Sequence, residues 1–199
     1  VLQQHPEYGI AYADSRITHG ENETWTQNTA TKKYGWPDYT ATTALSCCLF
    51  GAQPVWRRSV HETVGLWDPD LHFANDQDLF LRSAARHGAV HVREDLGLFL
   101  MRQDSVSGAD NRAQTIDDVM TVMRRHRRGI PLEVLFPALR EAEGDGLARV
   151  AALFELGNLC ALGPYTDAQM ALDCYREALA VPVRPEAVAQ VRSAFANNT

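Results

Sequence analysis

The chain has 199 residues, 45% hydrophobic and 22% charged, enough to bury a core as one domain or as one domain with an appendage. A formal net charge of −6 excludes a general nucleic-acid-binding surface, which needs a basic excess. Four cysteines with no C-x-x-C or zinc spacing exclude a secreted disulfide framework, so the simplest home is a reducing cytoplasm.

In chain order, Val1 to Pro6 reads as the tail of a helix, followed by a strand over residues 9–14. A chain that opens mid-element without an initiator Met is expected to have an earlier part before Val1. Residues 15–31 are polar and predict a loop or hairpin with Gly20-Glu21-Asn22-Glu23 at its tip. Residues 40–50 fit either a strand or a buried helix start. A first helix is predicted from Pro54, whose fixed φ suits a first helical position, to Gly65. The loop of residues 66–73 is aromatic and acidic. A second helix runs from Asn75-Asp76 to Gly88, with Leu79, Phe80 and Ala84 on its apolar face. Residues 89–93 alternate as a short strand, and the apolar run 96–101 predicts a strand buried on both faces. Strands alternating with helices imply an α/β domain over residues 1–110.

From residue 111 the pattern changes to an all-α extension, 111–199, with helices at 115–128, 132–142, 147–162, 167–181 and 185–196. Ile116, Val119, Met120 and Met123 form a core-facing stripe. The basic run Arg124-Arg125-His126-Arg127-Arg128 reads as a solvated helix C-terminus, with a phosphate- or membrane-facing role as the alternative. Within residues 151–181, Leu156-Gly157 and then Ala171, Tyr175 and Ala178 put small residues where two helices cross and an aromatic where they need filling. This resembles one tetratricopeptide hairpin. One repeat cannot bury its own face, so it packs on the preceding domain or continues beyond Thr199.

Several motifs in the first half occur in a fixed order. They are Pro54-Val55-Trp56-Arg57-Arg58-Ser59-Val60-His61, Gly65-Leu66-Trp67-Asp68 and Asn75-Asp76-Gln77-Asp78-Leu79-Phe80-Leu81-Arg82. Leu96-Gly97-Leu98-Phe99 and Ser105-Val106-Ser107 follow, and upstream stands Pro6-Glu7-Tyr8-Gly9-Ile10-Ala11-Tyr12-Ala13-Asp14. Over residues 5–108 this resembles the C-terminal half of family 2 glycosyltransferases with the GT-A fold. The resemblance implies an incomplete GT-A-like domain. It also implies inverting transfer of a sugar from a nucleotide-diphosphate donor to a glycan, lipid or protein acceptor. The full-length enzyme is expected to use a divalent cation, Mg or Mn. None is expected to bind within residues 1–199, which contain no D-x-D metal loop, G-x-G-x-x-G or P-loop. The 199 residues are expected to be inactive alone and to self-associate through exposed core.

By the same resemblance Asp76 stands at the general-base position, at a helix mouth whose partial positive charge favours the ionised carboxylate. Simple helix capping is its structural alternative. Asp78 points about 200° away on a helix and pairs with Arg82 at i,i+4. Trp56 and Trp67 are candidates to stack on a sugar, or else core residues. Arg57 and His61, i,i+4 on the first helix, are candidates to line the acceptor or diphosphate pocket, or else a solvated or locally paired polar face. Arg102 holds the place where the family often has a His, and offers a fixed positive charge to a phosphate. No metal ligand is assigned. Two other functions remain open: a protein-interaction module using the helical tail, and a non-catalytic glycan-binding remnant.

Overall fold

The computed structural model describes residues 1–51, 53–102, 112–142, 144–163 and 165–184. They form a mixed α/β protein that divides into two compact units, Val1–Gly129 and Ile130–Thr199. The boundary falls after the first helix of the predicted all-α extension, so that helix belongs to the α/β unit.

The first unit is organised on one strand, β1 (Ile10–Thr18), longer than the 9–14 segment predicted. Along one edge it pairs in parallel with β4 (Ala89–Leu100) over its whole length. The other edge is shared end to end. Ile10 and Ala11 pair antiparallel with β3 (Val55–Trp56), and residues 15–17 pair antiparallel with β2 (Lys32–Tyr34). The predicted hairpin after β1 therefore exists, with its turn beginning later. Residues 1–6 make a single turn rather than the tail of a helix, closed by the Gln4 and His5 N–H groups on the Val1 carbonyl.

The two strands predicted at 89–93 and 96–101 are one strand, β4. Its register to β1 slips between Ala13 and Asp14 and again between Asp14 and Ser15. The second half is not buried on both faces: Leu96 is exposed and Leu98, Phe99 and Leu100 are half-buried. The glycine of Leu96-Gly97-Leu98-Phe99 has a steric cause. Gln53 crosses directly over it, bonding Ser15 Oγ and the Leu98 carbonyl at 2.9 Å each, and fills the space a Cβ would need.

Helix α1 (Ala41–Ala44) is a single turn with a Thr40/Thr43 capping box, which resolves the ambiguous 40–50 segment as a short helix and turns. Helix α2 (Arg58–Val64) starts four residues later than predicted. Pro54 is not its first residue, because Val55 and Trp56 are taken into the sheet opposite Ala11 and Ile10. Helix α3 (Asn75–His87) matches the prediction at both ends and buries Leu79, Phe80 and Ala84. Gly88, at φ +63°, makes the left-handed turn that leads straight into β4.

Helix α4 (Arg112–Gly129) packs on α3. Its buried face is Val119, Val122, Met123, His126 and Arg127, while Ile116 is exposed, so the predicted stripe is rotated. The basic run is correspondingly not a solvated terminus, since two of its five residues are buried. An aromatic chain crosses the core: Tyr12 on Phe50 and Phe50 on Phe80 at 5.1 Å each, then Phe80 on Trp56 at 5.8 Å.

The second unit contains α5 (Leu132–Leu135), α6 (Ala138–Glu141), α7 (Gly146–Leu162) and α8 (Ala168–Ala180). The predicted helix 132–142 is split, with Pro137 heading the second piece. The α7–α8 hairpin packs through Ala152, Leu153, Leu156, Cys160, Met170, Ala171, Cys174 and Ala178. Tyr175 lies flush on Gly157, where a Cβ would approach its ring to 2.5 Å, and its hydroxyl bonds Asn158. Leu162 and Leu179 stand exposed at 83% and 81%. The helix predicted at 185–196 and the Ser105-Val106-Ser107 motif lie outside the described residues. No helix among the described residues is long and apolar enough to cross a membrane.

Candidate functional site

The site is built by the segment from β3 to α3. Trp56, at the end of β3, donates its indole N–H to His61 Nε2 at 2.9 Å. The other ring nitrogen of His61 lies 3.0 Å from the Gly65 carbonyl, which selects the tautomer with the proton on Nδ1. Trp67 closes the cluster, its ring centroid 5.4 Å from His61 and 6.1 Å from Trp56. Trp56 and His61 are half-buried, whereas Trp67 is 42% exposed. Three of the predicted substrate-binding residues are thus brought together as an aromatic wall.

The other two are not. Arg57 is not on the face of a helix with His61 but is the N-cap residue of α2. Its guanidinium is spent on the main chain, bonding the carbonyls of Leu2, His5 and Tyr8. Arg102 follows β4 and pairs at 3.0 Å with Glu21 in the β1–β2 turn, so a carboxylate already faces its charge.

Asp76 lies in the first turn of α3, one helical turn before Phe80, and Phe80 packs on Trp56. Phe80 therefore links the helix that carries Asp76 to the aromatic wall. Its Oδ1 accepts the Gln77 N–H at 2.7 Å, while the N-cap residue Ala74 supplies no side-chain cap. The side chain is open to solvent, yet the surrounding protein withdraws enough water to push its carboxyl above the usual range, against the lowering effect of two backbone N–H groups. The helix mouth was expected to keep this group easily ionised. The N–H contribution is present, but desolvation outweighs it. Cys48, whose thiol burial and the nearby Asp76 charge push up to about 12, is an inert neighbour.

Asp78 has the opposite environment. Only 1% exposed, it accepts from Arg82 Nε at 2.8 Å, as predicted at i,i+4, and also from His126 at 2.8 Å and Arg125 at 3.1 Å. Burial alone would raise its carboxyl, but the His126 and Arg82 bonds prevail and hold it at about 2. Arg82 then reaches onward to the Val64 and Leu66 carbonyls and secures the end of α2. Arg125 and His126 were missed as site residues because their basic run reads as solvated. The spacing of Val119, Val122, Met123, His126 and Arg127 on one helical face is the signal that could have found them.

A second polar cluster lies on the sheet. Asp14 accepts from the Trp36 N–H at 3.0 Å, His91 Nε2 at 2.8 Å and Lys33 at 3.3 Å. Tyr12 stacks on His91 at 4.9 Å. Burial raises the Asp14 carboxyl, but these bonds together hold it below its usual range. Every group here is committed to another, and the cluster ties β1, β2 and β4 together.

Among the described residues no group of three or more His, Cys, Asp or Glu is arranged to hold a metal ion. The carboxylate nearest Asp76 in sequence, Asp78, is already turned to its cationic partners. No family model matches the chain, and no curated protein matches it.

Proposed function

We propose that the first unit is the acceptor side of a GT-A-like glycosyltransferase acting by inversion, with Asp76 as general base. The observation that carries the reading is the clustering of Trp56, His61 and a 42% exposed Trp67, joined through Phe80 to the helix whose first turn carries Asp76. The ordered motifs from Pro54 to Arg82 support the same assignment. In this scheme the sugar acceptor lies on Trp67, whose ring face takes the apolar C–H face of a hexose. Asp76 removes the proton of the acceptor hydroxyl as its oxygen attacks the anomeric carbon. The bond from that carbon to the diphosphate oxygen breaks on the opposite face. A carboxylate held above its usual range is a stronger base toward the acceptor hydroxyl. Asp78 and Arg82 do no chemistry in this scheme and hold the helix and loop in place. Among the described residues no ligand set fits the divalent cation that the resemblance implies.

The test is transfer from a panel of nucleotide sugars to methyl glycosides, followed by mass spectrometry, in the intact protein and its Asp76→Asn variant. Turnover retained by the variant would remove Asp76 from the mechanism. A second reading, a tetratricopeptide-like protein-interaction module, is favoured by the exposed Leu162 and Leu179 on the α7–α8 hairpin. It predicts a partner captured only when residues 147–199 are present.

A further inference from the structure

We infer that α4 sets the working geometry of the loop before α3, with Asp118, Arg125 and His126 as positioning residues for Trp67 and Asp76. The inference rests on the proposed sugar transfer for its chemical meaning, but not for its structural test. Residues 66–73 form no regular element and expose Leu66 and Trp67; Asp68 ties the loop to itself only through the Asp70 and Leu71 N–H groups, so much of its order comes from contacts outside. Arg82 of α3 holds the Leu66 carbonyl, and α4 adds contacts at both ends of the loop. Asp118 Oδ2 accepts the backbone N–H groups of His72 and Phe73 at 2.7 and 2.8 Å, immediately before Ala74, which has no capping side chain of its own. Arg125 bonds Asp68 at 2.8 Å, next to Trp67, and bridges to Asp78 at 3.1 Å. His126 holds the buried Asp78 from the same helix face.

Asp118, Arg125 and His126 are spaced i, i+7 and i+8, so one straight helix face measures out both anchor points, about 10 Å apart along its axis. Charge-assisted bonds of this kind are the stronger ones, and those of Asp118 act on main-chain N–H groups that a side-chain rearrangement cannot replace. An error of about 1 Å in placing reacting groups costs on the order of 10²-fold in rate, so this spacing is a functional quantity. α4 also lies beyond residue 108, outside the stretch that resembles the glycosyltransferases, so the anchoring is a property of this chain.

The experiment labels the intact protein with 5-fluorotryptophan, assigns the Trp67 ¹⁹F line with Trp67→Phe, and compares Asp118→Ala with Asp118→Asn. Asp118→Ala is expected to shift or broaden the Trp67 line while those of Trp25 and Trp36 hold. It should also speed hydrogen exchange at the His72 and Phe73 amides at least tenfold. Asp118→Asn, which keeps one acceptor oxygen, is expected to recover much of both signals. Arg125→Gln, at a half-exposed side chain, gives the same Trp67 readout if Asp118→Ala fails to fold. In a transferring protein, Asp118→Ala raises the acceptor KM several-fold and leaves the donor KM unchanged. A folded Asp118→Ala protein with an unmoved Trp67 line and unchanged exchange would overturn the inference. A moved line in a protein that transfers no sugar would support it and sink the transfer reading.

Discussion

Asp76 and Asp78 are two residues apart on one helix and are pulled in opposite directions. For Asp76 the folded state favours the protonated form, so its contribution to stability is complete below the unfolded value and is lost as pH rises through the raised one. Asp76→Asn is therefore predicted to leave the Tm at pH 7 unchanged or slightly higher while abolishing transfer. Differential scanning calorimetry beside the activity assay checks both halves. In the wild type, the acid limb of the pH–rate profile should lie above the ordinary carboxylate range of about 3.9. For Asp78 the sign reverses. Its folded value of about 2 gives stability that is present above about 4 and lost as pH falls from there toward 2. Asp78→Ala leaves Arg82, Arg125 and His126 around an empty acceptor, and should cost about 3–5 kcal/mol in urea unfolding at pH 7. Local spacing shows the Arg82 partner of Asp78, because i,i+4 is a helix neighbour. The partners on α4 lie 47 and 48 residues away, and only the fold brings them back.

At the scale of elements, α3 is legible because its apolar face, its acidic first turn and Gly88 all agree on one helix. β3 is not. Two residues carry no periodicity, and the proline before them imitates a helix start, so the decisive fact is that β1 has an open edge at Ile10 and Ala11. The 96–101 run misleads for a related reason: an apolar stretch does not reveal that its strand lies at the side of the sheet. The Gln53–Gly97 crossing offers a direct test. Gly97→Ala forces Gln53 away from Ser15 and Leu98, and should cost about 1–3 kcal/mol. In a Gln53→Ala background the same change should cost much less, a non-additivity that a double-mutant cycle in urea would read.

For the whole molecule, the change from mixed to all-helical character is plain in the sequence, but it does not coincide with the division into compact units. α4 reads as part of the helical extension. Val122 and Met123, both fully buried, and the Asp78 contacts make it part of the α/β unit. A protein ending at Gly129 is predicted to unfold cooperatively with a near-native chemical-shift pattern for Trp67. One ending at residue 110 exposes the face that α4 covers and should be aggregated or molten, as circular dichroism and light scattering would reveal.

The slipped register of β4 has a consequence for solubility. Among the described residues β4 pairs only with β1, so its far side has no strand partner there and offers a template for another chain. The irregularity falls at its middle, where Arg93 and Glu94 are exposed, and divides that edge into two short lengths with charge between them. A foreign strand that starts to zip along either half loses its alignment within a few residues. The slip thus works as a guard against fibrous stacking along this edge.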